Sequence, residues 1–91
     1  MRIILDGYKM DNKENLHLYL KQSFDLSDYY GENLDALWDE LSSLNEDMEI
    51  ILINANYMLN KLGEYGNMLL ELFRDLAFEQ ENINFMSDGC F

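Results

Sequence analysis

The stretch EIILI at residues 49–53 is apolar after its first residue and rich in β-branched isoleucine. Such a run predicts a strand buried on both faces of a sheet. Two more short apolar runs, RIIL at 2–5 and INFM at 83–86, predict the other strands. Gaps of roughly 40 and 30 residues separate these runs from EIILI, which is enough for helical, right-handed crossovers. We therefore expect an α/β fold with a three-stranded parallel sheet.

The segment after the first strand predicts a helix running roughly from residue 12 to residue 24. Asp11 is the expected N-cap, with Glu14 completing a capping box. The core-facing positions have helical spacing and are Leu16, Tyr19, Leu20, Ser23 and Phe24. His17, the chain's single histidine, is expected to be a partly exposed helix residue.

A second helix should follow the polar loop at 25–31, with Asn33 as its N-cap. Its apolar residues repeat with helical spacing and predict a core-facing stripe of Leu34, Leu37, Trp38, Leu41 and Leu44. At about 100° per residue, Asp35 and Asp39 fall together on the flank of that stripe beside Trp38. Like charges at this spacing repel. From spacing alone, the pair fits a partner-binding edge and a solvated helix face equally well.

Two more helices are expected between the second and third strands. Asn54 or Asn56 can cap a short helix that ends near Gly63. A fourth helix to about Glu81 is predicted by the apolar residues Tyr65, Met68, Leu69, Leu72, Phe73 and Leu76. Its acidic positions Glu71, Asp75 and Glu79 by themselves indicate a solvated face. The predicted order is β-α-α-β-α-α-β in a single domain spanning residues 1–91.

The charge of the chain is strongly negative and unevenly distributed. Eighteen acidic residues against six basic ones give a net charge of −12. Residues 22–60 contain no lysine or arginine and hold the acids Asp25, Asp28, Glu32, Asp35, Asp39, Glu40, Glu46, Asp47 and Glu49. Nucleic acid would be repelled by such a surface, so we expect a cationic partner and no nucleic acid.

Several classes of protein are disfavoured by the residues that the chain lacks. No apolar run is long enough for a membrane helix or a signal peptide, so we expect a cytoplasmic protein without membrane contact. Cys90 has no second cysteine to pair with, and a reactive role for it is not expected. A single histidine without a nucleophile motif argues against an enzyme, and we expect no metal and no cofactor.

The run YYGENLDALWD at residues 29–39 resembles the signature of the barstar family, intracellular inhibitors of barnase-like secreted bacterial ribonucleases. The resemblance continues more weakly through the helix with His17, through EIILI, and through FRD at 73–75. It implies the barstar fold, a three-stranded parallel sheet covered by helices. It also implies a non-catalytic inhibitor that blocks the ribonuclease active site and protects the producing cell.

The resemblance assigns roles residue by residue. Asp39 matches the acid that enters the enzyme's phosphate-binding pocket, and Asp35 matches a second acid that meets basic groups of the cleft. Tyr29 matches an aromatic residue that packs over the catalytic histidine. Asp75 matches a longer glutamate that pairs with another enzyme cation. The surrounding contact or support positions are Gly31, Asn33, Leu34 and Trp38.

Two positions depart from the family pattern. Leu44 stands where barstar has a tryptophan at the interface edge, and Glu40 replaces a cysteine. The sequence therefore predicts a protein that is monomeric when free and inhibits a basic, barnase-like ribonuclease. The alternative is an immunity protein against another basic toxin nuclease, or a nucleic-acid mimic for a different basic partner. An enzyme is the third and weakest interpretation.

Overall fold

The structure, a computed structural model, describes residues 1–88. Cys90 lies outside the described residues. The strands are β1 (Arg2–Asp6), β2 (Met48–Ile53) and β3 (Ile83–Ser87), and the helices are α1 (Lys13–Phe24), α2 (Leu34–Ser42), α3 (Ala55–Leu62) and α4 (Glu64–Glu79), with a short 3-10 helix at Gly7–Lys9. The predicted α/β class and the order β-α-α-β-α-α-β are confirmed.

The sheet is parallel throughout, with β2 in the middle and β1 and β3 at its edges. One face is covered: Leu5 and Leu52, which pair in register, are both fully buried. On the other face, Ile4, Ile51 and Met86 share a register, and Ile4 and Met86 are 56% and 59% exposed. The prediction that β2 is buried on both faces is therefore wrong. Its buried and less buried residues alternate because the helices cover only one side of the sheet.

The core between helices and sheet is built around Phe73 of α4, which is fully buried. Its ring stacks on Phe85 of β3, with centroids 5.2 Å apart, and lies 6.4 Å from the ring of Phe24 at the end of α1. Aromatic pairs at these separations add to the stabilisation from burial. Helix α4 also packs against α2, so the core fixes the relative position of these two helices.

Helix capping explains where α1 and α2 begin. Asn33 caps α2 as predicted, since its side-chain oxygen accepts from the Ala36 amide at 2.8 Å. The predicted cap of α1 is wrong by one residue, because Asn12 has the extended backbone of a cap and accepts from Asn15. Asp11 instead accepts a hydrogen bond from the Tyr57 hydroxyl at 2.6 Å.

Helix α3 is capped from a distant part of the chain. Asn54 occupies the N-cap position but makes no side-chain cap bond. The carboxylate of Asp88, just after β3, accepts instead from the amides of Asn54 and Ala55 at 3.0 and 3.1 Å. The Asn54 carbonyl also lies so close to Gly7 that a β-carbon there would collide with it. These contacts join the carboxyl ends of all three strands.

Candidate partner-binding surface

The acidic edge of α2 is defined by Asp35 and Asp39, one helical turn apart and both exposed. Asp35 lies in the first turn, where the helix dipole favours a negative charge. The carbonyl of Asp39 accepts from the hydroxyls of Ser42 and Ser43 at 3.3 and 2.7 Å, near the end of the helix. Both carboxylates are thus carried on a short, capped helix and face solvent.

The apolar stripe of α2 is only partly buried. Leu37 and Leu41 are fully buried, as a core-facing stripe requires. Leu34, Trp38 and Leu44 were predicted to belong to the same core, but each is only half-buried and packs at its edge. Leu34 and Trp38 lie on the side of the stripe that faces α4. Part of each side chain remains accessible in the groove between the two helices.

A groove of about 250 Å³ lies between α2 and α4. Its lining consists of Leu34, Asp35, Trp38, Met68, Glu71, Leu72 and Asp75. The groove therefore brings together four of the residues predicted from the sequence: Leu34, Asp35, Trp38 and Asp75. It adds Met68, Glu71 and Leu72, which the sequence pattern assigned to the fourth helix and not to the binding site. The remaining predicted residues, Tyr29, Gly31, Asn33 and Asp39, lie outside its lining.

The lining of this groove combines apolar and acidic side chains. Trp38, Met68 and Leu72 offer apolar contact, while Asp35, Glu71 and Asp75 supply three carboxylates. Lysine and arginine combine an aliphatic stem with a cationic end, which matches both features.

The loop before α2 presents Tyr29, whose side chain is 96% exposed. Glu32 and Asp25 in the same loop have left-handed backbones, with φ of 53° each, a conformation that non-glycine residues seldom adopt. Gly31 is exposed and its carbonyl accepts from the Asn33 side chain at 3.2 Å. Aromatic side chains are enriched at protein–protein interfaces, so the exposed Tyr29 ring is a candidate contact residue.

Comparison with known proteins identifies the family of the chain. The sequence profile of the family described as "Barstar (barnase inhibitor)" matches residues 1–88. The chain belongs to the barstar family. It is also 40% identical over 79 residues to a Bacillus subtilis (strain 168) protein named "Putative ribonuclease inhibitor YrdF". That match covers 86% of this chain and 87% of the Bacillus protein.

In this member of the barstar family, His17 is a central buried residue. The expectation that it is partly exposed is wrong, because only 2% of its surface is accessible. Its Nδ1 lies 2.6 Å from the Tyr30 hydroxyl, and its Nε2 lies 2.6 Å from the Tyr65 hydroxyl. A neutral imidazole has one donor and one acceptor nitrogen, so it can satisfy both hydroxyls at once.

This Tyr30–His17–Tyr65 chain connects the loop before α2 to α1 and α4. Burial lowers the pKa of His17, while Glu32 acts in the opposite direction and Lys13 in the same direction. Burial also raises the pKa values of Tyr30 and Tyr65. All three side chains are therefore neutral near pH 7, as a buried hydrogen-bonded network requires.

The helical pattern contains a signal for His17 that the sequence prediction did not use. At about 100° per residue His17 lies about 20° from Phe24 around α1, and it precedes Leu20 by three residues. His17, Leu20 and Phe24 thus form one apolar-facing line, in which a polar residue requires a buried partner. Tyr30 and Tyr65 could not be identified as those partners, because they are distant in sequence.

The chain has a second pocket, of about 270 Å³, at the carboxyl end of the sheet. Its lining consists of Tyr8, Asn54, Ala55, Asn56, Tyr57 and Asp88. Within residues 1–88, no three His, Cys, Asp or Glu side chains are grouped as a metal site would require. Over the same residues, no helix is both long and apolar enough to cross a bilayer.

Proposed function

We propose that this barstar-family chain inhibits a basic, barnase-like ribonuclease by inserting the acidic edge of α2 and the loop before it into the enzyme's active site. The observation that carries the proposal is the grouping of Asp35 and Asp39 on one exposed edge, beside the groove formed with α4. Negative charge concentrated next to accessible apolar side chains suits a cationic cleft.

Each predicted residue has a proposed role in the complex. Asp39 takes the place of the RNA phosphate among the cations of the cleft, and Asp35 pairs with a second basic group. Tyr29 packs over the catalytic histidine. Asp75 pairs with a further cation at the groove, where Glu71 supplies a second carboxylate from the same helix. Gly31, Asn33, Leu34 and Trp38 shape the surface around these contacts.

The proposed mechanism is occlusion without chemistry. The inhibitor performs no reaction and uses no cofactor. It acts as a monomer in the cytoplasm of the producing cell, where it binds a basic ribonuclease and does not bind nucleic acid. Like-charge repulsion between Asp35 and Asp39 in the free helix is relieved when the enzyme's cations pair with them. Part of the electrostatic gain on binding is therefore the removal of this repulsion.

The alternative is an immunity protein against a different basic nuclease, or a nucleic-acid mimic for another basic partner. It is favoured by the rim of the site, where the half-buried Leu44 provides less contact area than the family's tryptophan. A changed rim on an unchanged acidic edge fits a related cleft with different surroundings.

The test is an inhibition assay with a panel of barnase-like ribonucleases and other basic nucleases, using the parent protein and Asp39→Ala. Removing one member of a buried charge pair costs about 3–5 kcal/mol, so the variant should bind at least about 100-fold more weakly. Asp47→Ala is the matched control, because it removes an exposed aspartate after α2 and should change the affinity by less than about threefold.

The stability of the free variant must be measured alongside. Asp39→Ala should leave it unchanged or slightly higher, since a like-charge neighbour is lost. Inhibition by Asp39→Ala equal to that of the parent would refute the proposed role of α2. Inhibition of a basic deoxyribonuclease alone would favour the alternative, and turnover of RNA by the isolated chain would contradict both.

A further inference from the structure

The loop that presents Tyr29 contains a tight turn whose first and last residues are both held by other elements. The Tyr30 amide donates to the Ser27 carbonyl at 3.1 Å, which closes a four-residue turn with Asp28 and Tyr29 at its centre. Tyr29 thus projects from the middle of this turn. Its position relative to Asp35 and Asp39 depends on how firmly the turn is attached to α2.

The last residue of the turn is anchored in the protein interior. Tyr30 is buried, and its hydroxyl pairs with His17 of α1 at 2.6 Å. Just before the turn, Leu26 is also buried, and its amide donates to the Lys21 carbonyl at the end of α1 at 2.9 Å. These contacts attach the loop to α1, but α1 carries none of the proposed contact residues.

The first residue of the turn is attached directly to α2 by Glu40. One carboxylate oxygen of Glu40, Oε1, accepts from the Ser27 amide at 3.1 Å and from the Ser27 hydroxyl at 2.6 Å. Glu40 is half-buried and directly follows Asp39 in sequence. These two bonds connect the turn to the helix that carries both aspartates.

We propose that Glu40 is a positioning residue, which fixes the Ser27–Tyr30 turn on α2 so that Tyr29 is held in its binding position before the partner arrives. This inference rests on the proposed function and adds to it a residue that acts through Tyr29. A loop that is already ordered loses less conformational freedom on binding, so the complex is tighter than with a mobile loop.

The competing explanation is that Glu40 contributes only as one more negative charge. Two substitutions separate these explanations. Glu40→Gln removes the charge but keeps a side-chain oxygen that can accept both Ser27 bonds, whereas Glu40→Ala removes the charge and the acceptor. Glu46→Ala is the matched control for loss of an exposed carboxylate from the same acidic segment.

The first measurement is amide hydrogen exchange in the free protein, which needs no ribonuclease. The reporter is the Tyr30 amide, whose bond to Ser27 closes the turn. Glu40→Ala should speed its exchange by about tenfold, Glu40→Gln by less than about threefold, with core amides such as that of Leu52 unchanged. Equal exchange in the parent and Glu40→Ala would overturn the inference. So would an equal acceleration of all amides, which indicates a global loss of stability.

The second measurement is a double-mutant cycle with Tyr29→Ala, using a ribonuclease that the parent inhibits. Glu40→Ala should weaken binding by about tenfold in the parent but by less than about twofold when Tyr29 is already alanine, because its effect passes through Tyr29. Glu40→Gln should restore most of the affinity. An equal loss of affinity in the parent and Tyr29→Ala backgrounds would overturn the inference. So would a loss in Glu40→Gln as large as that in Glu40→Ala, since it would show that only the charge matters. If the parent inhibits no ribonuclease, the proposed function fails, and the exchange experiment alone decides whether Glu40 fixes the turn.

Discussion

Replacing His17 with phenylalanine tests whether the buried Tyr30–His17–Tyr65 chain stabilises the fold. The substitution keeps an aromatic ring but removes both hydrogen bonds of 2.6 Å. On the Tyr30 side a buried hydroxyl loses its partner, which costs about 1–3 kcal/mol. On the Tyr65 side the hydroxyl is only half-buried and can bind water, so the cost is about 1 kcal/mol. The expected loss in the free energy of unfolding is therefore about 2–4 kcal/mol, a large fraction of the 5–15 kcal/mol typical of a small domain.

The measurement is urea-induced unfolding of the parent and His17→Phe, with the slope of the transition checked to be unchanged. Tyr65→Phe is the graded control, since it removes only one of the two bonds, and it should cost about 1–3 kcal/mol because the buried Nε2 of His17 loses its partner. A loss below about 1 kcal/mol in His17→Phe would refute the assignment of a structural role to this network.

The pH dependence of stability gives an independent check of the same network. Burial lowers the pKa of His17 below its ordinary value of 6.5, so the unfolded chain binds a proton more readily than the folded one. The histidine's contribution is fully present above pH 6.5 and is lost as the pH falls from there towards the lowered pKa. The difference in stability between the parent and His17→Phe should shrink with a slope of up to about 1.4 kcal/mol per pH unit. A difference that stays constant from pH 7 to about pH 5 would contradict burial of a neutral imidazole.

Three further outcomes are expected. Gly7→Ala should lower the free energy of unfolding by about 2 kcal/mol or more in urea titrations, because its β-carbon would collide with the Asn54 carbonyl. An unchanged urea midpoint would contradict that close approach. Asp88→Ala should cost about 1 kcal/mol by removing the cap of α3, and wild-type thermal stability in this variant would exclude that capping role. Association with a ribonuclease should slow by about tenfold between low and high salt in stopped-flow measurements, because salt screens the electrostatic attraction of a chain with net charge −12. An association rate that does not change with salt would argue against electrostatic steering.

The fold was predictable because its strands are distinct in the sequence. EIILI, RIIL and INFM are apolar runs separated by helical patterns, and their spacing implies parallel pairing. The one-sided cover of the sheet was not predictable from EIILI alone. An isoleucine on the open face, such as Ile51, looks the same in sequence as Ile50 on the covered face. The distinction depends on which side the helices pack, which is a tertiary property.

The candidate site was predictable where it is local and was missed where it depends on packing between helices. Asp35 and Asp39 share one helix, so spacing placed them on one edge, and the structure agrees. The groove requires α4 to lie against α2, and Glu71 by itself indicated a solvated face. Glu40 could not be paired with Ser27 from the sequence, because a loop of unknown path separates them. The assigned roles of all these residues in binding stay predictions until a complex is measured.

The central position of β2 has a consequence for how the chain folds. Contacts between β1 and β2, and between the segments that follow β2 and β3, join residues 47 and 34 positions apart, so no pair of strands can form as a simple hairpin. Such topologies gain their long-range contacts only after large loops have closed, and they refold more slowly than helical bundles of similar size. During that interval EIILI is exposed in a form prone to intermolecular β-pairing. The same excess of carboxylates to which the proposed function assigns recognition of a cationic enzyme also repels unfolded copies from one another, so it acts as a safeguard against aggregation.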